Sequence, residues 1–236
     1  MYLRRTSTGP VELAFTDRHG GVSRPPFESL NLAISGEDDP RSRAINTALV
    51  LADFAPGAAM ADMVQVHGGD VVCVSTPGRS TCDALITAET DVVLVTRVAD
   101  CVPVLLADPE HGVIGAAHAG RPGVVAGVIT NTVAAMRELG ADIITAWVGP
   151  HVCGGCYEVP DDMRAAVSAV EPTTFAQTRW GTPALDIGAG VRAQLQRAEV
   201  EVVSWEQCTM ESSDLYSHRR DGAGAGRSAG LIWRRS

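Results

Sequence analysis

The segment from residue 91 to residue 120 restricts the fold more than any other part of the chain. It holds two apolar, partly β-branched runs, one that begins with Cys101 and one that ends with His118. The sequence DPEHG between the runs has the composition of a turn. We therefore predict an antiparallel β-hairpin here.

The register of this hairpin decides whether the thiol and the imidazole meet. If Leu106 pairs with Val113, then Cys101 pairs with His118, and their Cβ atoms lie roughly 5 Å apart. A slip of one residue would turn the two side chains to opposite faces. The sequence thus predicts a cysteine beside a histidine at a strand end, on the condition that this register holds.

Strand-like and helix-like segments alternate along the rest of the chain. This alternation, together with the hairpin, predicts one α/β domain over residues 1–236, with mixed β-sheets packed between helices. The predicted strands are 11–15, 63–67, 71–75, 92–98, 101–106, 113–118, 143–148 and 201–205, and the predicted helices are 45–54, 124–139, 161–170 and 190–198.

Composition limits the class of protein. Of the 236 residues 45% are hydrophobic and 20% are charged, which is typical of a globular chain. No apolar run approaches the ~20 residues that span a bilayer, and the N-terminus lacks the apolar segment of a secretory signal. We therefore expect a cytoplasmic protein with no membrane partner.

The charge balance restricts partners and cofactor chemistry. The net charge of −9 argues against nonspecific binding to nucleic acid. All 19 basic residues are arginines, so a Schiff-base lysine and a Walker-type phosphate loop are excluded. An anionic substrate would have to bind to specific arginines or to backbone amides. The oligomeric state stays open.

Six cysteines in a chain expected in the cytoplasm are predicted to be thiols. Cys153 and Cys156 have the spacing of a redox pair or of half a zinc site. No second close pair of cysteines or histidines completes a zinc site in the sequence. The interpretation favoured by sequence alone is therefore a glycine-rich loop with incidental thiols.

Six short motifs follow one another along the chain. They are RHGGVS (18–23), QVHG (65–68), DALIT (83–87), ADCVPVLL (99–106), HAG (118–120) and RRDG (219–222). Together they resemble the YfiH-like family. This family carries the label laccase-type polyphenol oxidase and is also described as purine nucleoside phosphorylases or peptidoglycan-editing factors. The resemblance implies a four-layer α-β-β-α sandwich.

The resemblance implies a metal site formed by His67, Cys101 and His118, with zinc as the usual ion. Such a donor set leaves a fourth position open, which is the catalytic pattern for zinc. The implied activities are phosphorolysis of purine nucleosides, including adenosine, inosine, guanosine and methylthioadenosine, and hydrolytic deamination of adenosine. The implied partners are thus purine nucleosides and phosphate.

Roles for the remaining groups follow from those reactions. For deamination we predict Asp83, ahead of Asp100, as the carboxylate that moves the proton. For phosphorolysis we predict Arg18 and Arg220 as phosphate-binding residues, together with the helix start after Gly120.

One departure from the family pattern concerns phosphate. The family usually has Ala-Gly-Trp-Arg-Gly after its second histidine, whereas this chain has Ala119-Gly120-Arg121-Pro122-Gly123. The aromatic residue is lost and the cation is shifted. If that cation binds phosphate, the change weakens the case for phosphorolysis.

Three alternatives remain open at this point. Two histidines and a cysteine also suit a single copper ion, although six histidines are too few for a four-copper oxidase. Cys101 and His118 could instead form a metal-independent dyad for deamidation or amide hydrolysis. A non-enzymatic protein that edits or binds cell-wall precursors is the third possibility.

Overall fold

The computed structural model describes residues 1–236, and it contains two six-stranded mixed sheets. The first sheet consists, in spatial order, of β1 (Tyr2–Thr8), β2 (Val11–Thr16), β14 (Ser228–Arg234), β7 (Val92–Val98), β3 (Ala59–Val64) and β5 (Gly78–Thr81). The second consists of β13 (Glu201–Ser204), β10 (Thr145–Val148), β8 (Val102–Asp108), β9 (Val113–Ala119), β6 (Ala84–Thr87) and β4 (Val71–Cys73). A small hairpin pairs β11 (Phe175–Gln177) with β12 (Pro183–Leu185).

Six α-helices accompany the two sheets. They are α1 (Pro40–Phe54), α2 (Arg121–Val125), α3 (Val128–Glu138), α4 (Asp161–Val170), α5 (Ile187–Arg197) and α6 (His218–Asp221). None of them has both the length and the apolar character needed to cross a lipid bilayer.

Three apolar clusters show how the layers stack. One cluster lies between the sheets and joins residues such as Leu94 of the first sheet to Leu105 of the second. A second lies between the second sheet and α3 and α5, and a third lies between the first sheet and α1. The order of layers is therefore α-β-β-α. This confirms the predicted α/β class with mixed sheets between helices.

The hairpin is confirmed, but its register differs from the prediction by two residues. Pro103, not Cys101, pairs with His118, and Asp108 pairs with Val113. The turn is shorter than predicted because the Asp108 carboxylate accepts hydrogen bonds from the backbone N–H groups of Glu110 and His111. A shift of two residues keeps the face of every side chain, so Cys101 still lies on the same side as His118.

The single helix predicted over residues 124–139 is wrong. The chain forms α2 and α3 instead, with the break at Gly127, whose φ of 75° is left-handed. The predicted end at Gly140 is correct. There the N–H of Gly140 donates to Arg137 and that of Ala141 to Met136, which is a Schellman ending.

Candidate metal and nucleoside site

Three side chains that are distant in the sequence meet at one edge of the second sheet. His67 lies in the loop after β3, Cys101 immediately precedes β8, and His118 is on β9. Their candidate ligand atoms all lie within 4.8 Å of one another. Cys101 Sγ is 3.8 Å from His67 Nε2, and the two imidazole rings meet edge to face with centroids 4.8 Å apart. We call these three residues the histidine–cysteine cluster.

Asp83 accepts hydrogen bonds from the ring of His118 and from the backbone of His67. Its Oδ1 is 2.8 Å from His118 Nδ1, and the carboxylate also accepts the backbone N–H groups of Val66, His67 and Gly68 at 2.7–3.1 Å. The bond to Nδ1 leaves Nε2 of His118 free to bind a metal ion, and a carboxylate behind a histidine is the usual outer partner of a metal ligand. Asp83 therefore orients the cluster.

The thiol and the imidazole change each other's protonation. Burial alone would raise the pKa of Cys101, but hydrogen bonds and charge from His118 and His67 outweigh it and lower the pKa to about 6. Burial alone would lower the pKa of His118, but Asp83 and Cys101 raise it to about 9. The cluster thus favours a thiolate at neutral pH, which is the form that binds metal.

Gly120 permits this close approach. A Cβ atom at this position would lie 2.5 Å from His67 Cδ2 and 3.2 Å from Cys101 Sγ. Any larger residue would therefore push the imidazole and the thiol apart.

A cavity of about 510 Å³ opens over the cluster. Its walls come from both ends of the chain and include polar groups of opposite charge. The polar and charged lining residues besides the cluster are Asn31, Ser35, Glu37, Asp38, Gln65, Arg97, His218 and Arg227. The volume suits a ligand of nucleoside size.

Two arginines line this cavity, and their surroundings differ. Arg97 is buried and forms an ion pair with Asp62 at 2.8 Å, so its charge is balanced within the protein. Arg227 has no carboxylate within ion-pair distance, and its Nη1 donates only to the carbonyls of Ala225 and Gly226. Arg227 is therefore the cation of the cavity wall that is available to an anion.

The structure places the predicted phosphate residues elsewhere. Arg18 stacks on the Tyr216 ring at 4.7 Å and donates to the carbonyl of Glu28. The guanidinium of Arg220 donates hydrogen bonds to the carbonyls of Thr209, Ser212 and Leu215 and to the carboxylate of Asp221. Neither arginine lines the cavity. Both tie loops together, so phosphate binding by these two residues is not what the geometry supports.

Asp83 also differs from its predicted role as a proton carrier. It is fully buried, does not line the cavity, and accepts four hydrogen bonds. The five-residue helix α2 after Gly120 adds no lining residue either, and Arg121 is absent from the wall. The sequence contained a signal for Arg227 in the arginine- and glycine-rich end of the chain, but it contained none for His218.

Asp100, the other predicted carboxylate, fastens the loop that carries Cys101. It has a left-handed φ of 94°, and its carboxylate accepts hydrogen bonds from Thr209 Oγ1 at 2.6 Å and from the Arg219 N–H at 2.7 Å. Both partners belong to the C-terminal segment that leads to the cavity wall. Asp100 therefore joins the histidine–cysteine cluster to that wall.

Comparison with known proteins identifies relatives of this chain. Residues 12–235 match the model of a family described as multi-copper polyphenol oxidoreductase laccase. A purine nucleoside phosphorylase of Streptomyces coelicolor is 50% identical, with 98% of each chain covered, and one of Deinococcus radiodurans is 43% identical, with 98% of this chain and 92% of the relative covered.

Solved structures show the same fold. A Neisseria meningitidis protein superposes with a TM-score of 0.86 at 30% identity over 100% of this chain and 99% of its own. YlmD of Geobacillus stearothermophilus superposes with a TM-score of 0.85 at 29% identity over 96% and 93%. YfiH of Bacillus licheniformis gives 0.84 at 27% identity over 99% and 100%. The chain therefore belongs to the YfiH-like family, the one described as multi-copper polyphenol oxidoreductase laccase.

Proposed function

We propose that this protein is a zinc-dependent purine nucleoside phosphorylase that also deaminates adenosine. The observation that carries the proposal is the convergence of His67, Cys101 and His118 at a cavity of nucleoside size. The names of the similar Streptomyces and Deinococcus proteins support the substrate class. The six free cysteines agree with a reducing compartment such as the cytoplasm.

The donor set fits zinc. Two imidazole nitrogens and one thiolate are the ligand types of catalytic zinc sites with an open fourth position, and Asp83 supplies the outer hydrogen bond to His118. When bound, the ion would supply Lewis acidity at that open position. The presence of only three donor side chains, which would leave this position open, is the specific observation that favours deamination as a second activity.

The cavity walls supply the groups that phosphorolysis needs. In this reaction a phosphate oxygen attacks the anomeric carbon, and the bond from that carbon to the purine nitrogen breaks. Arg227 is placed to hold the phosphate, because a guanidinium without a carboxylate partner binds it in a bidentate manner. His218 lines the same cavity and is our choice for the group that protonates the leaving purine.

Copper fits this chain less well than zinc. Of the six histidines only His67 and His118 share a metal-binding group with a cysteine. Of the other four, His19 bonds Asp214, His111 bonds Asp108 and His151 bonds the Gly149 carbonyl. His218 lines the cavity but belongs to no group of metal-ligand side chains. A four-copper oxidase needs many more imidazoles at one place, so the multi-copper description of the family does not transfer to the metal.

The test measures metal and products together. Purified protein is incubated with inosine and phosphate or with adenosine, and the bases, inosine and ribose 1-phosphate are separated by chromatography. We expect turnover with zinc bound, and loss of turnover together with one equivalent of zinc in Cys101→Ser and His118→Ala. The exposed Cys73→Ser variant is the matched control and should keep both. Full turnover by verified metal-free protein contradicts the proposal.

One observation favours a second candidate function. The low pKa of Cys101 and the raised pKa of His118 describe a thiolate and an imidazolium, which is also the state of a metal-independent cysteine hydrolase. In that case metal-free protein would hydrolyse an amide and form an acyl-enzyme on Cys101. If added zinc instead protects Cys101 from an alkylating reagent, Cys101 acts as a metal ligand.

A further inference from the structure

A second group of metal-ligand side chains lies outside the histidine–cysteine cluster. The loop after β10 carries Cys153 and Cys156, and a distant segment after β13 brings Cys208 and Glu211 to them. The three sulfur atoms and a carboxylate oxygen of Glu211 all lie within 4.8 Å of one another. We call these four residues the three-cysteine cluster.

We propose that the three-cysteine cluster is a second, structural metal site that binds a zinc ion through three thiolates and one carboxylate. Four donors complete a tetrahedron, and structural zinc sites are closed in this way. With Zn–S bonds of about 2.3 Å, ligating sulfurs lie roughly 3.8 Å apart, so the observed spacing needs little adjustment. Thiolate donors select zinc over magnesium or calcium.

The local backbone has the form that such a site uses. Cys153 and Cys156 lie at the ends of a turn closed by the hydrogen bond from Cys156 N to the Cys153 carbonyl at 3.0 Å. The N–H of Cys153 also points at Cys208 Sγ at 3.4 Å. Hydrogen bonds of this kind to ligating sulfur stabilise its thiolate form. The setting is a turn, not the strand-to-helix junction of a thioredoxin-type redox pair.

The charge around the cluster also suits a bound cation. Three thiolates and a carboxylate leave a net charge of −2 on a zinc complex. Arg179 lies beside it, with Nη2 3.8 Å from Cys153 Sγ and an ion pair between Nη1 and Glu211. The guanidinium offsets part of the excess negative charge. Zinc binding would release the thiol protons, so affinity should rise with pH.

The location indicates what the ion would do. Cys208 adjoins Thr209, which bonds Asp100, and Ser212 N donates to the Cys208 carbonyl at 3.1 Å. An ion at the three-cysteine cluster would therefore join the 153–156 turn to the segment that leads to the cavity wall. This role does not depend on which reaction the cavity performs.

Zinc content tests the proposal in a background that removes the first site. His67→Ala/Cys101→Ser protein should retain about one equivalent of zinc after dialysis, and the further change Cys208→Ser should abolish it. Adding Cys73→Ser to the same background is the matched control and should leave one equivalent. Loss of all zinc in the His67→Ala/Cys101→Ser background overturns the proposal.

A second measurement keeps the proposal testable if Cys208→Ser fails to fold. In His67→Ala/Cys101→Ser protein, alkylation is mapped by mass spectrometry with and without added zinc. Zinc should protect Cys153, Cys156 and Cys208 at least tenfold and leave Cys73 reactive. Equal alkylation of the three cysteines under both conditions, or a Cys153–Cys156 disulfide in freshly reduced protein, contradicts it.

Discussion

The histidine–cysteine cluster and the three-cysteine cluster both offer side-chain donors to a metal ion, but they differ in donor number and in surroundings. The first opens onto a cavity of about 510 Å³ and offers three ligands, whereas the second offers four and lies away from that cavity. The first is fixed by a fully buried carboxylate, Asp83, and the second is flanked by the exposed Arg179. In these two proposals it is the number of side-chain donors that separates the reactive site from the structural one.

The largest effect expected from this contrast is on turnover. Cys101→Ser should lower the rate of nucleoside cleavage by more than about 100-fold, because it removes a ligand where loss of an outer partner alone costs 10–100-fold. Cys153→Ser should change the rate constant far less at saturating zinc and 25 °C, but should lower the melting temperature. Steady-state kinetics and thermal unfolding on the same samples check both. Equal losses of turnover would remove the distinction between the clusters.

The next effect concerns the carboxylate behind the histidines. Asp83→Asn should weaken zinc binding at the histidine–cysteine cluster by about 10–100-fold, since the His118 ring loses its carboxylate partner. Competition with a chelator of known affinity measures this. Asp108→Asn is the matched control, because Asp108 is also buried and also accepts several backbone N–H groups, but far from either cluster. It should destabilise the fold and leave zinc affinity unchanged.

A smaller effect is expected at Gly120. In Gly120→Ala the new methyl group would displace the His67 ring, so zinc affinity at the histidine–cysteine cluster should fall by about tenfold, as for other disturbances of ligand orientation. Gly115→Ala, on the strand β9 that Gly120 directly follows, is the control, because its methyl group would press on the flexible Met136 side chain. Unchanged affinity in Gly120→Ala would mean that His67 is not held where we describe it.

The smallest effect is on the pH dependence of stability. Burial raises the pKa of Asp108, but hydrogen bonds from the N–H groups of Asp142 and His111 and from the His111 ring outweigh it, so the folded-state pKa lies below the unfolded value near 4. The resulting stabilisation is complete above the unfolded-state pKa and is lost as the pH falls through the folded-state pKa. Urea unfolding should therefore show a smaller loss of stability on acidification for Asp108→Asn than for the wild-type protein. Parallel pH curves would contradict this.

Much of the fold could be predicted from sequence patterns within single strands and helices. The run 92–98 and the helix 161–170 have the predicted bounds, because a continuous apolar run and an amphipathic repeat are local signals. The hairpin was predictable for the same reason. Its register was not, because Asp108 shortens the turn through side-chain bonds that a composition pattern does not reveal.

The site was predictable only in part. The approach of Cys101 to His118 was predicted from the hairpin, whereas their role as metal ligands together with His67 was proposed through resemblance. The structure brings all three side chains together. Arg18 and Arg220 were chosen because they are cations in shared motifs, yet their donors serve internal carbonyls. The three-cysteine cluster was missed because Cys208 lies more than fifty residues after Cys153, and only the fold makes them neighbours.

The hydrogen bonds of Asp100 have a consequence for engineering. Asp100 directly precedes Cys101 of the histidine–cysteine cluster. Its carboxylate accepts a hydrogen bond from Thr209, the residue after Cys208 of the three-cysteine cluster. It also accepts one from the N–H of Arg219, at the start of the segment that reaches the cavity. Substitutions in the C-terminal wall of the cavity are therefore coupled, through Asp100, to the loop that carries Cys101. A designer would have to keep Asp100 unchanged and vary only side chains downstream of Arg219.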